Sequence, residues 1–324
     1  MGTDPTGDEG TIAWREVLAE TKHRVVAAGL PAQEAHWIVE EASGSGRGGS
    51  LDDPVTARGM THHDAMVGRR LAGEPLQYVL GRWAFRGLDL MVDPRVLIPR
   101  PETEVVTGLA LAEVDRVAAG RTDSPVQVAD LGTGSGAIGL SIAVERIGTR
   151  VWCTDVSTGA LAVARANCAG LGRPARRVTL AEGSWFEALP TELKSSLDVV
   201  VANPPYVDRA GDLPVEVVAW EPVEALFAER DGRADLEALV DGAPTWLAPG
   251  GALVLEMSPD QAGDLADRAR EVGFDEAEIH LDLAGRDRAM VARLARCASP
   301  LRWTSEPIRW PRWPLRCGRF PPAA

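Results

Sequence analysis

Residues 126–140 read VQVADLGTGSGAIGL, an apolar run that passes through a glycine-rich turn into a second apolar segment. The run at 126–131 predicts a buried strand, and the segment after Gly136 predicts a helix. Gly132, Gly134 and Gly136 let the backbone approach a ligand closely, and the N-terminus of a helix offers N–H groups without helical partners. The stretch therefore predicts a strand, a turn and a helix that together hold a ligand.

The chain around this turn alternates between strand-like and helix-like segments. Apolar runs occur at 126–131, 151–154, 197–202, 252–255 and 289–294, with a weaker one at 177–180. Helical patterns lie between most of them, at 137–146, 157–170, 233–247 and 260–272. Alternation of this kind predicts a Rossmann-like α/β fold with a mostly parallel, doubly wound sheet and helices on both faces.

The N-terminal third of the chain predicts two smaller units. Helical spacing over 11–42, and a further helix that begins at Thr61 as its N-cap, predict a small helical domain over residues 1–73. Residues 74–98 carry apolar residues in a strand-like pattern from Leu76 onward. They predict a β-hairpin that connects the helical domain to the rest of the chain.

The rest of the chain divides at residue 298. Residues 99–297 contain the alternating segments and form the main domain. Residues 298–324 are rich in proline, arginine and tryptophan and have no periodic pattern. Because proline cannot continue a helix, we expect this tail to be disordered, with an extended packed arm as the alternative, and to have no catalytic role.

The charge of the chain limits the classes of partner. The formal net charge is -13, from 34 Lys and Arg against 47 Asp and Glu. A protein that mainly grips a phosphate backbone is normally basic, at least in one domain. The acidic balance therefore argues against a nucleic-acid partner.

Two further features predict a cytoplasmic protein without a metal site. No run of about 18 apolar residues predicts a membrane span, and the acidic N-terminus lacks the regions of a secretory signal. The four cysteines have neither metal-ligand spacing nor the pattern of a disulfide framework. They are Cys153, Cys168, Cys297 and Cys317.

Asp155 is a candidate ligand group outside the glycine turn. It follows the run at 151–154, 19 residues after Gly136, where a carboxylate can accept hydrogen bonds from both hydroxyls of a ribose. S-adenosylmethionine and NAD both carry such a ribose, and the glycine turn also fits the loose dinucleotide fingerprint. A dehydrogenase remains an alternative on these features, as does a helix N-cap role for Asp155.

The tetrapeptide Asn203-Pro204-Pro205-Tyr206 directly follows the run at 197–202. Ligands of open α/β sheets bind at the carboxyl ends of the strands, so this segment is predicted at the ligand-binding edge. Asn203 supplies a side-chain oxygen as an acceptor, and the two prolines leave a stiff loop with outward carbonyls. Tyr206 supplies a flat face on which a planar group can stack.

These features suit a planar –NH2 group as substrate, whose nitrogen is a poor nucleophile because its lone pair is delocalised. The Asn203 oxygen and the Pro204 carbonyl can hold its two hydrogens and aim the nitrogen at the methyl group of a sulfonium. These hydrogen bonds strengthen as the nitrogen gains positive charge. A dehydrogenase has no use for such an element, so the pair of motifs favours a methyltransferase that uses S-adenosylmethionine.

The chain resembles the amino-methyltransferases with an Asn-Pro-Pro-Tyr signature, and more narrowly the release factor glutamine N5-methyltransferases. The resemblance covers roughly residues 12–295 and is strongest over 74–222. Beyond the two motifs above, it rests on Glu74-Pro75-Leu76-Gln77-Tyr78, Gly81, Phe85-Arg86-Gly87-Leu88, Leu97-Ile98-Pro99-Arg100-Pro101-Glu102-Thr103-Glu104, Gly183-Ser184-Trp185-Phe186, Trp220-Glu221-Pro222 and Ala225-Leu226-Phe227.

The resemblance implies a class I methyltransferase fold with S-adenosylmethionine as cofactor. The implied cofactor contacts are Gly132, Thr133, Gly134, Ser135, Gly136, Asp155, Trp185 and Asn203. Trp185 would lie beside the adenine, and residues 99–104 would border the pocket. The substrate glutamine would meet Asn203, Pro204, Pro205 and Tyr206, of which Asn203, Pro204 and Tyr206 would be catalytic.

The family's substrate is the glutamine of the Gly-Gly-Gln loop of class I peptide chain release factors. The resemblance implies that the helical domain and the hairpin dock this partner, and we expect the enzyme to be a monomer. Three stretches depart from the family pattern: the glycine-rich segment 44–50, Leu255-Glu256-Met257-Ser258 and the tail. A paralogue that methylates a glutamine of another protein is therefore an alternative.

Two alternatives come from other functional classes. Methyltransferases of exocyclic amines in DNA or RNA share Asn-Pro-Pro-Tyr, but they usually carry basic surface, and the net charge of this chain is negative. The Pro-Arg-Pro-Glu-Thr-Glu segment also argues against that class. A binding protein that keeps the fold without turnover is the other alternative, and the intact Asn203 and glycine turn argue against it.

Overall fold

The computed structural model describes residues 12–121, 124–208 and 213–296. The helices are α1 (Trp14–Ala27), α2 (Ala32–Ser43), α3 (Ala57–Leu71), α4 (Leu76–Leu80), α5 (Pro101–Ala118), α6 (Ala137–Glu145), α7 (Thr158–Gly170), α8 (Val215–Trp220), α9 (Glu229–Gly232), α10 (Ala234–Trp246) and α11 (Ala262–Glu271). The strands are β1 (Arg82–Phe85), β2 (Leu88–Met91), β3 (Val126–Leu131), β4 (Thr149–Asp155), β5 (Val178–Glu182), β6 (Leu197–Ala202), β7 (Val207–Asp208), β8 (Phe227–Ala228), β9 (Leu247–Glu256), β10 (Glu276–Leu281) and β11 (Asp287–Arg293). The tail predicted to be disordered lies outside the described residues.

Seven strands form one sheet in the order β10-β11-β9-β6-β3-β4-β5. The five strands from β9 to β5 pair in parallel, and β11 pairs antiparallel with both β9 and β10. After β3, the chain adds β4 and then β5 on one side of it, and the next strand, β6, pairs with β3 on the other side. This reversal of direction beside β3 creates the crevice in which ligands of such sheets bind.

Side chains that alternate along the central strand cover both faces of the sheet. Val126 and Val128 of β3 pack with buried residues of α5 and α6, whereas Ala129 and Leu131 pack with those of α10 and α11. Because successive strand residues point to opposite faces, a strand with two apolar faces needs a helical layer on each. The predicted α/β fold with a mostly parallel, doubly wound sheet is confirmed.

The edge strand β10 was not predicted from the sequence. Its residues Glu276-Ala277-Glu278-Ile279-His280-Leu281 are exposed or half-buried, so no apolar run marks it. Charged side chains are common on edge strands because they discourage pairing with other chains.

The N-terminal helices form the predicted helical unit, but α3 begins earlier than expected. Thr56 is its N-cap and accepts a hydrogen bond from the Gly59 N–H, whereas the Thr61 hydroxyl donates to the Ala57 carbonyl inside the helix. The prediction of Thr61 as the cap was therefore wrong. Gly59 weakens the helix pattern in the sequence. Glycine is nevertheless required at this position of α3, because an added Cβ would lie 2.7 Å from the Trp14 ring.

The predicted hairpin is confirmed over β1 and β2, which pair antiparallel around the turn at Arg86-Gly87. The strand-like interpretation of residues 76–80 was wrong, because they form the short helix α4. Leu76 and Val79 pack with Ile38, Met66 and Val67 of the helical unit. A short apolar run does not distinguish a buried strand from a buried helical turn, and packing against α2 and α3 decides for the helix here.

Polar side chains attach the hairpin to both of its neighbouring units. The Asn167 side chain of α7 bonds both the N–H and the carbonyl of Met91, at 2.7 and 3.0 Å, and also donates to the Ser135 carbonyl. Arg82 of the hairpin pairs with Glu41 of α2. The hairpin is thus bonded on one side to the helical unit and on the other to Asn167, which also holds the glycine turn. Within the described ranges, no helix is long and apolar enough to cross a membrane.

Candidate active site

The predicted ligand residues meet in a cavity of about 560 Å³ at the carboxyl ends of β3, β4 and β6. Its size is that of a small-molecule site. The sequence-predicted residues that line it are Gly132, Thr133, Gly134, Ser135, Asp155, Trp185, Asn203 and Pro205. Gly136, Pro204 and Tyr206 are not among the lining residues. The predicted block at 99–104 contributes Pro99 and Thr103 to the wall.

The glycine turn has a backbone path that requires glycine. Gly132 has φ +73°, and an added Cβ there would lie 3.0 Å from the Trp185 ring. Gly136 has φ +88° and is the N-cap of α6, where an added Cβ would lie 2.7 Å from Leu140. Both positions therefore combine a left-handed backbone with a close neighbour. Gly136 shapes the turn from behind, which explains why it does not line the cavity.

Asp130 supports this turn from below and was missed by the sequence analysis. One carboxylate oxygen accepts hydrogen bonds from the Thr133 hydroxyl at 2.6 Å and the Gly139 N–H at 2.8 Å. The other oxygen is buried without a partner among the described residues. Burial raises the pKa of Asp130 to about 6, against the opposing effect of these two donors. Its position two residues before Gly132 is the only signal the sequence carries.

Asp155 lies at the tip of β4, facing the cavity. Its carboxylate accepts hydrogen bonds from the Gly134 N–H and the Ser157 N–H, both at 2.9 Å. Burial is the main cause of its raised pKa, and the backbone donors oppose it. The N-cap of α7 is Ser157, which accepts from the Ala160 N–H, so the alternative of Asp155 as the cap is wrong. Lone pairs of the carboxylate remain for a ligand.

Trp185 forms one wall of the cavity in a strained conformation. Its φ is +42°, a region that bulky side chains rarely adopt. The indole Nε1–H donates to Asp235 of α10 at 3.1 Å, and Asp235 itself lines the cavity. Strain of this kind persists where the surroundings hold it and is frequent at ligand sites. Asp235 was missed because nothing in the local sequence distinguishes it from other acidic residues of a first helical turn.

The Asn203–Tyr206 segment lies beside the glycine turn, because Ala202 at the end of β6 pairs with Leu131 at the end of β3. The Asn203 side-chain amide donates to the Thr103 hydroxyl at 3.2 Å, and Pro204 is buried. The Tyr206 hydroxyl donates to Glu256 at the end of β9, at 3.0 Å, and its ring packs against the core beneath α10 and α11. The stacking role predicted for Tyr206 stays a prediction, since the described cavity does not include its ring.

The segment around Glu221 closes the cavity on a further side. Glu221 is buried, accepts from the Ile98 N–H at 3.1 Å and pairs with Arg100. Pro222 and Glu224 line the cavity next to it. In the part of the chain that the structure describes, no group of three His, Cys, Asp or Glu side chains could hold a metal ion.

Comparisons with known proteins agree with this geometry. Residues 16–81 match the PrmC N-terminal domain family and residues 118–223 match the Methyltransferase small domain family. The matches therefore include most of the helical unit and the segment from the end of α5 to Val223.

Three relatives, each named release factor glutamine methyltransferase, cover most of the chain. One from Burkholderia pseudomallei (strain K96243) is 41% identical over 280 residues, which are 83% of this chain and 94% of the relative. One from Bordetella pertussis (strain Tohama I) is 40% identical over 269 residues, or 80% and 94%. One from Moorella thermoacetica is 39% identical over 286 residues, or 86% and 97%. The chain therefore belongs to the release factor glutamine methyltransferase family.

Proposed function

We propose that this enzyme transfers a methyl group from S-adenosylmethionine to the side-chain amide nitrogen, N5, of a glutamine. The substrate is the glutamine in the Gly-Gly-Gln loop of class I peptide chain release factors. The observation that carries the proposal is the single cavity whose wall contains both the glycine turn with Asp155 and the side chain of Asn203. Family membership supplies the identity of the protein substrate.

The cavity residues fit the cofactor. An added Cβ at Gly134 would meet no atom within 4 Å, so the turn leaves room beside its backbone. Asp155 would accept hydrogen bonds from the ribose hydroxyls, and the Trp185 ring would cover the adenine. When bound, S-adenosylmethionine supplies an electrophilic methyl group on a positively charged sulfur. Cofactor contacts for the other turn residues, Gly132 to Gly136, are part of the same proposal.

Asn203 orients the substrate nitrogen. Its Nδ2 is directed at the Thr103 hydroxyl, which leaves Oδ1 as the acceptor for one hydrogen of the glutamine amide. The Pro204 carbonyl would accept the other hydrogen. Both hydrogen bonds strengthen as charge develops on the nitrogen, so they stabilise the transition state more than the bound substrate. The nitrogen loses a proton readily once methylated, so no strong general base is needed.

The helical unit and the hairpin would dock the release factor. Arg70 of α3 connects the helical unit with α8, because it pairs with Glu34 of α2 and donates to Glu216 of α8 at 2.9 Å. The helix α8 leads directly into Trp220-Glu221-Pro222 beside the cavity. We further propose that the enzyme acts as a monomer in the cytoplasm.

The decisive experiment measures transfer of labelled methyl groups to a cognate release factor. The wild-type factor is compared with a variant whose Gly-Gly-Gln glutamine is alanine, and Asn203→Ala enzyme is the parallel control. We expect label on the wild-type factor alone, and none with Asn203→Ala although that variant still binds cofactor. Label on the alanine variant, or on DNA or RNA instead, would refute the proposed substrate.

A further inference from the structure

Glu256 is a buried carboxylate that bonds one end of the Asn203–Tyr206 segment directly, at Tyr206, and the other end through Thr103. The carboxylate accepts from the Thr103 hydroxyl at 2.7 Å through one oxygen and from the Tyr206 hydroxyl at 3.0 Å through the other. Thr103 in turn accepts from the Asn203 amide. Glu256 and Thr103 are 1% and 4% exposed, so water does not compete for these bonds.

The direction of these hydrogen bonds is determined by the carboxylate. Burial raises the pKa of Glu256, and the hydrogen bonds from Thr103 and Tyr206 together with the charge of Arg288 oppose this rise. In its ionised form the carboxylate only accepts, and Thr103 donates its single hydroxyl proton to it. The Thr103 oxygen can then only accept from Asn203. Arg288 donates to the Tyr206 hydroxyl at 3.3 Å, which likewise leaves the Tyr206 proton for Glu256. Each donor in the chain therefore has one orientation that satisfies its neighbours.

This chain of bonds acts on the orientation of the Asn203 amide. The oxygen and nitrogen ends of an asparagine side chain have nearly the same shape, so packing alone does not choose between them. A flipped Asn203 would place its oxygen against the lone pairs of Thr103, where no proton is available. The unflipped amide points Nδ2 at Thr103 and leaves Oδ1 for a ligand.

We propose that Glu256 and Thr103 are positioning residues that hold the Asn203 amide with its oxygen toward the substrate. This inference rests on the proposed function, in which that oxygen accepts a hydrogen from the glutamine amide. The fixed amide also disfavours a glutamate side chain at the same position, because the Asn203 amide oxygen would then face a carboxylate oxygen with no proton between them. The two residues thereby contribute to selection of a planar –NH2 group.

The test is Thr103→Val, which removes the hydroxyl at nearly constant volume, compared with Thr103→Ser, which keeps it. We expect kcat for release factor methylation to fall about tenfold in Thr103→Val, since one hydrogen bond of this kind supports a population ratio of that order. Thr103→Ser should stay within about twofold of wild type, and the Kd for S-adenosylmethionine should change little in both. Thr103→Val leaves one oxygen of the buried Glu256 carboxylate without its donor, so its melting temperature should fall, and kcat is measured at a temperature at which all variants are folded.

Thr107→Val is the matched control, because Thr107 is a buried residue of the same helix whose hydroxyl donates only to the Thr103 carbonyl. It should lose some stability and keep the wild-type kcat. Glu256→Gln should reduce kcat as well, because its NH2 group can reverse the direction of the bond to Thr103.

A wild-type kcat in Thr103→Val, or an equal loss of kcat in Thr103→Ser, would overturn the inference while leaving the proposed function intact. A fall in kcat that Thr107→Val matches would also overturn it, since loss of any buried hydroxyl would then suffice. Failure of the wild-type enzyme to methylate any release factor would instead refute the proposed function itself.

Discussion

Substitution of Gly232 by alanine should lower kcat, although Gly232 does not line the cavity. Gly232 ends α9, is buried and has φ +80°. An added Cβ would lie 2.3 Å from the carbonyl oxygen of Tyr206, the last residue of the catalytic segment. Gln261 Nε2 donates to this same carbonyl at 3.0 Å and to the Gly232 carbonyl at 3.2 Å, so the two backbones are held together.

The size of the effect follows from the distances. Real Cβ atoms essentially never approach another heavy atom more closely than 3.0 Å, whereas the added Cβ would lie 2.3 Å from the Tyr206 oxygen. The two backbones must therefore move apart by ~0.7 Å. A misplacement of about 1 Å near reacting groups can cost roughly 100-fold in rate, so we expect kcat to fall by about 10- to 100-fold. The left-handed backbone adds about 1–2 kcal/mol of destabilisation for any residue with a Cβ.

Gly285→Ala separates these two contributions. Gly285 has φ +78°, but an added Cβ there meets no atom within 4 Å, and the residue is exposed. This variant should therefore lose about 1–2 kcal/mol of folding free energy and keep the wild-type kcat. The measurements are steady-state methyl transfer and urea unfolding on both variants. Equal kcat values in the two variants would refute the argument that Gly232 holds the catalytic segment in place.

Three further predictions concern binding and stability. Asp155→Asn keeps one acceptor oxygen and loses the charge, so the Kd for S-adenosylmethionine should rise about 10- to 100-fold. Calorimetry measures this Kd, and an unchanged value would exclude contact between Asp155 and the ribose. Burial raises the pKa of Asp130 to about 6 from an ordinary 3.8, so its stabilising effect is complete below about pH 4 and disappears as pH rises through 6. This rise in pKa corresponds to at most ~3 kcal/mol of folding free energy. In urea unfolding without cofactor, the free energy of unfolding should decline between pH 4 and 7, and the decline should be smaller in Asp130→Asn. Arg70→Met leaves the buried Glu34 carboxylate unpaired and should cost ~3–5 kcal/mol by thermal unfolding, whereas adding Glu34→Leu should restore most of that loss.

The parallel strands and the glycine turn could be predicted because their signals are local. Each central strand is buried on both faces and reads as an apolar run, and β3 with its turn and α6 occupies one continuous stretch. The edge strand β10 and the helix α4 escaped prediction for opposite reasons. One has too little apolar character for a strand, and the other is too short for its period to be recognised.

The sequence by itself determined the class of fold, the glycine turn, Asp155 and the Asn203–Tyr206 segment, because each depends on neighbouring residues and on the edge at which parallel strands end. Only the tertiary structure decided which side chains support them. Thr103 and Glu256 are 153 positions apart, and Trp185 and Asp235 are 50 apart, yet each pair is hydrogen-bonded. No local pattern encodes such contacts, since a buried carboxylate acquires its partners from the packing of helices and strands that are distant in the chain.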